Sequence, residues 1–126
     1  MSANPPYLYL DFDYSEDEQG VGTFDAMVST GPLQVAAVRA EIARVLDWAH
    51  AAFAGLKAPL DDGGVWDFNL QGQQEWSAHE ALDYDESRQE FSARLSPPGP
   101  PRHTLTLSIS GSPQFCEAFR QHCALD

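Results

Sequence analysis

The chain has little positive charge. Its 126 residues include one lysine, Lys57, and six arginines, against 19 acidic residues, for a formal net charge of −12. Nucleic acids and anionic membrane surfaces are bound largely through Lys and Arg, so neither is expected as a partner. Long apolar runs are also missing, and none approaches the ~20 residues of a membrane-spanning helix. The opening Met1–Pro6 has neither the basic nor the apolar stretch of a secretory leader. Cysteine is scarce. Cys116 and Cys123 lie seven positions apart, about 10 Å on a helix, and a disulfide needs Cα atoms within about 7 Å. Two reduced thiols are expected, and with them a reducing, cytoplasmic setting. Arginine in place of lysine, together with abundant alanine, hints at a GC-rich bacterial genome.

Catalytic signatures are absent as well. There is no P-loop, dinucleotide fingerprint, HExxH, CxxC or GxSxG. The four histidines, His50, His79, His103 and His122, have no ligand spacing, and no cofactor is expected. The Asp11-x-Asp13-x-Ser15-x-Asp17 run begins like a calcium loop. However, its sixth position is Glu16 where the loop needs glycine, and its twelfth is Gly22 where it needs glutamate. An EF-hand is excluded, and no metal site is expected there.

What is present is a fold pattern. Hydrophobic residues make up 43% of the chain, enough at this length for one core and a single domain. Tyr7 to Tyr14 alternates, with Leu8, Leu10, Phe12 and Tyr14 on one face and Tyr7, Tyr9, Asp11 and Asp13 on the other. After a polar turn, Val21 to Val28 alternates again, which predicts a β-hairpin. Gly31-Pro32 opens a helix of about 20 residues whose apolar stripe runs through Val35, Val38, Ile42, Val45, Leu46, Ala49 and Phe53. Gly55 and Pro59 end it. Val65 to Gln71 reads as a strand with Trp66, Phe68 and Leu70 inward and Asp67 and Asn69 outward. Gly72 to His79 is hard to read, and Trp76 there is a candidate cover for a core edge. Glu80 to Asp85 and Gln89 to Leu95 form a second hairpin. Pro97 to Pro101 is a stiff extended spacer. Arg102 to Gly111 is a further strand, and Ser112-Pro113 caps a short last helix with Phe115, Phe119 and Cys123 on its apolar face. The expected fold class is therefore α+β with order ββαββββα. It has two layers: an antiparallel sheet of about five to six strands, with one long and one short helix on one face.

Charge is segregated along this plan. No Lys or Arg precedes Arg39, and none lies between Lys57 and Arg88; those two windows hold fourteen of the 19 acidic residues. In the first hairpin, turn length suggests Phe12 opposite Phe24 and Asp11 opposite Asp25. The open sheet face is then expected to carry Asp11, Asp13 and Asp25 beside Tyr7, Tyr9 and Met27. Acid around exposed aromatics suits a basic, partly apolar partner.

The leading expectation is a non-enzymatic protein-binding module. Tyr7, Tyr9, Asp11, Asp13 and Asp25 would meet a basic protein surface, with Asp67 and Asn69 behind them. In size and composition the chain is similar to immunity and inhibitor proteins that neutralise toxins, although no motif carries the likeness. A second reading is a small-ligand or divalent-metal-dependent enzyme using Trp76, His79 and Glu80. A third is a homo-oligomer formed through the open face or an unpaired edge strand.

Overall fold

The computed structural model describes residues 7–124. Strands β1 (Asp13–Glu16) and β2 (Gly22–Thr30) form the first hairpin. Its turn closes on the Asp17 carboxylate, which accepts from the amides of Gln19 (2.8 Å) and Val21 (2.9 Å). Helix α1 (Val35–Ala52) follows, then a 3-10 turn at Leu60–Asp62. Strands β3 (Trp66–Glu75), β4 (Glu80–Asp85), β5 (Glu90–Leu95) and β6 (Arg102–Gly111) precede helix α2 (Pro113–Cys123). The order ββαββββα and the antiparallel α+β class are as the pattern predicts.

The six strands divide into a four-stranded sheet, β1-β2-β6-β3, and a separate β4–β5 hairpin. The division has a topological cause. β3 and β6 pair directly along all ten residues, from Trp66↔Gly111 to Glu75↔Arg102. The β4–β5 segment between them extends that ladder outward and adds no width to the sheet.

Both helices pack on one side. Phe24, Ala26, Trp66, Leu107 and Ile109 point inward from the sheet. They meet Val38, Ile42, Val45 and Ala49 of α1 and Phe115, Cys116, Phe119 and Cys123 of α2. The Ser112 hydroxyl accepts from the Phe115 amide (3.3 Å), and Pro113 occupies the first turn, so α2 starts where the sequence signals it. A Cβ on Gly111 would overlap the Phe115 ring, which is why α2 can lie this close to β6. No described helix is long and apolar enough to cross a membrane.

The segment before β1 is not the strand that its alternation predicts. Residues 7–12 have no strand pairing, and Leu8, expected inward, is 85% exposed. Glu41 is the cause. It sits on the buried side of α1, and its carboxylate accepts from three consecutive amides: Leu8 (2.8 Å), Tyr9 (2.9 Å) and Leu10 (3.1 Å). Those amides would otherwise have joined a ladder. The carboxylate gathers them against α1, and Tyr7, Leu10 and Phe12 turn into the core.

Three charge-assisted bonds at a buried site are worth several kcal/mol together. Glu41→Ala is therefore expected to lower unfolding stability by about 3 kcal/mol in urea titrations. It should also raise amide exchange at residues 8–10 well above that of β2.

Candidate functional site

The uncovered side of the four-stranded sheet is a polar plane whose make-up follows from the register. One row across it is Asp13, Asp25, Ser108 and Asn69; the next is Ser15, Thr23, Ser110 and Asp67. Asp13 and Asp25 are direct cross-strand partners, a like-charge pair on neighbouring strands. The Ser108 hydroxyl donates to the Asp25 carboxylate, and the Thr23 and Ser110 hydroxyls are hydrogen-bonded at 2.9 Å. A shallow trough of about 460 Å³ lies over the β6–β3 side of these rows, beside Asp13 and Asp25 and not over them. Asp17 and Asp61 stand at its rim, and Asp67, Asn69 and Ser108 are among its lining residues.

Cations stay at the margins of this face. Lys57 approaches Asp67 at 3.6 Å, the one side-chain ion pair within 4 Å among the described residues. Arg102 reaches Ser29 at the far end, with Nε donating to Oγ at 2.8 Å. Asp13 and Asp25 have no cationic partner among the described residues. Other cations lie over aromatic rings: Arg44 over Tyr7 (5.0 Å), Arg120 over Tyr14 (4.0 Å) and Lys57 over Phe68 (5.4 Å).

The structure brings Asp13, Asp25, Asp67 and Asn69 onto the open face, with Met27 exposed there as expected. Asp11 is exposed but precedes β1. The opposition expected for Asp11 and Asp25 is made by Asp13, two residues on; Tyr14, not Phe12, lies opposite Phe24. Two expectations are corrected. Tyr7 is only 6% exposed and belongs to the core, and Tyr9 is half-buried against it, so neither flanks the acidic face. The clamp on Glu41 draws both away. The missed signal was a glutamate at 41, within the Val38–Ile42–Val45 stripe: a charged residue on a helix's dry side needs buried donors.

Tyr7 instead closes the rim of the core. Its hydroxyl is 2.7 Å from Nε2 of His122, whose ring stacks on Trp48 at 4.5 Å and 12°. Burial pushes the Tyr7 phenol up to about 12. Burial first, and then the charge of Arg44, hold His122 below its ordinary 6.5. Burial also raises both thiols, Cys123 to about 12, so neither cysteine is poised as a nucleophile.

The enzymatic reading named Trp76, His79 and Glu80. Trp76 is 59% exposed and covers no core edge; with Arg39 and His103 it borders a depression of about 350 Å³. His79 and Glu80 are exposed and are not among the residues lining it. Among the described residues no group of three or more His, Cys, Asp or Glu side chains could hold a metal ion. No protein-family model matches the sequence, and no curated protein or solved structure matches it significantly.

The His122 environment sets a pH dependence. Its folded-state pKa is depressed, so the unfolded chain binds the proton more readily. The stabilisation is complete above 6.5 and is lost as pH falls through the lower folded value. Urea unfolding between pH 7.5 and pH 5 is expected to show this loss, and His122→Gln should flatten that part of the profile.

Proposed function

We propose that this chain is a non-enzymatic binding module that engages a basic protein surface through the open face of its sheet. An inhibitor or immunity-type protein is the most concrete form. One observation carries the reading: Asp13 and Asp25 stand directly opposite each other on a bare sheet face, with no cation of the described chain to offset them. Direct opposition of like charges is destabilising by up to about 1 kcal/mol. A partner's Lys or Arg between the two carboxylates would convert that repulsion into attraction.

Ser108, Asn69, Thr23 and Ser110 supply hydrogen-bonding groups around the pair. Met27, 73% exposed, supplies an apolar contact. Binding to such a face depends on charge, so its association rate falls as salt rises. Two buried, unpaired thiols favour a reducing, cytoplasmic setting, and the arginine-rich composition favours a bacterial one.

The test compares the wild-type chain with the Asp13→Asn, Asp25→Asn double variant, each immobilised and exposed to host lysate at low salt. The wild type is expected to retain a basic protein that the variant binds at least tenfold more weakly. The variant should be as stable as the wild type or up to about 1 kcal/mol more stable. Equal retention of the same proteins by both chains would end the proposal.

A further inference from the structure

Residues 77–100 stand clear of the body: apart from Ala81, every one of them is exposed. They form a two-stranded arm. Beyond the last β3–β6 pair, the Gly99 amide donates to Ser77 O (3.1 Å) and the Ser96 amide to His79 O (2.9 Å). β4 and β5 then pair from Glu80↔Leu95 to Asp85↔Glu90. Asp85 closes the tip by accepting from the Ser87 amide and hydroxyl.

One face of this arm is apolar from Leu82 to its tip, with Glu80 at its base. Leu82 lies opposite Ala93, and Tyr84 opposite Phe91 with ring centroids 5.2 Å apart; Leu95 shares the face. Phe91 is 74% exposed. A lone hairpin is marginal in water. Leu82, Tyr84, Phe91 and Leu95 together expose on the order of 500 Å², a large patch for a monomer. Trp76 and the groove add to what each copy would contribute toward the ~800 Å² per partner of a stable interface.

The same molecule carries a surface that fits. A groove of about 380 Å³ lies between α1 and β3, lined by Ile42, Ala43, Leu46, Leu70 and Leu105, with Arg39 beside them. β3 is the last strand of its sheet; its outer edge is bridged at Trp66 to Lys57 and has no strand partner beyond that. Its exposed Leu70–Glu75 stretch matches the six residues of β4. The arm's own root supplies Leu70 and Leu105, so folding back would require a sharp reversal at its base. Pro97, Pro98, Pro100 and Pro101 stiffen one of the two connecting chains against that. Charge is complementary as well. Glu80, paired opposite Leu95, is the strand carboxylate on the arm's apolar face, whereas the groove has Arg39 and no acid.

We propose that two copies of this chain associate by exchanging arms, each laying its Leu82–Tyr84–Phe91 face in the other's groove with β4 along the free β3 edge. Such an exchange is a closed twofold assembly, and it covers two exposed edges at once.

Sedimentation velocity and native mass spectrometry on the full chain test this. The wild type is expected at twice the 13.9 kDa chain mass. The arm variant Leu82→Asp, Phe91→Asp and the groove variant Ala43→Glu change exposed positions, so circular dichroism should show both folded. Each should raise the dimer dissociation constant at least about 100-fold. Mixing the two variants retains one intact arm–groove contact and should give a mixed dimer absent from either alone. A wild-type chain that is monomeric at about 100 µM would overturn the proposal. So would a dimer that survives Ala43→Glu, since the arms would then meet each other or another surface. Two monomeric variants that stay monomeric on mixing would overturn it too.

Discussion

Phe115 and Phe119 of α2 lie against Trp66 and Phe24 of the sheet, and this contact decides which side of the sheet is dry. The Phe115 and Trp66 rings are parallel within 2° at 5.7 Å, and Phe119 meets Phe24 at 4.5 Å. Trp48 of α1 contacts both phenylalanines, so the two helices share one aromatic layer. Aromatic pairs of this kind add to the area that they bury. With both helices committed to one side, every outward residue of β1, β2, β6 and β3 is left to water or to a partner. The serines, threonines and carboxylates of the open face answer that constraint.

Much of this was legible in the sequence, because period and punctuation determine it. The α1 stripe at spacings of three and four, the Ser112-Pro113 start of α2 and the alternation of β2 and β6 each have one local solution. The open-face positions of Asp25, Asp67 and Asn69 followed from parity alone. Parity also survived the two-residue slip in the first hairpin, which is why Asp13 still faces outward. The misreading of residues 7–12 has a physical origin. Alternation reports only where side chains can go. The amides of Leu8, Tyr9 and Leu10 went to a carboxylate 31 to 33 residues away, and local periodicity carries no information about such a partner.

The β4–β5 arm was legible in a different sense. The hairpin itself is what the pattern predicts, and in it Leu82 and Tyr84 lie across from Ala93 and Phe91. Its position is not, because an alternating apolar face says that something will cover it without saying what. The sequence of Trp66 to Glu75 held the missing clue. Buried-type residues stop at Leu70 and give way to Gly72, Gln73, Gln74 and Glu75 while the strand continues. A strand that turns polar on both faces has left the layer that its helices protect.

The open face and the arm make different demands on the same charge distribution. A chain at −12 repels its own copies, and that repulsion suits a face awaiting a basic partner. Close self-association then needs a contact that keeps carboxylates apart or offsets them. Arg44, Lys57 and Arg120 lie over aromatic rings, and Arg102 reaches Ser29 at the end of the open face. Arg39, Arg88 and Arg94 are exposed and lie in the groove or on the arm. Of seven cations, then, one, Arg39, lines the groove, and none stands beside Asp13 and Asp25. The scarcity of positive charge with which the sequence begins is therefore a matter of placement as well as number. It leaves the polar face strongly acidic while the groove keeps Arg39, which would offset Glu80 on the arm's apolar face.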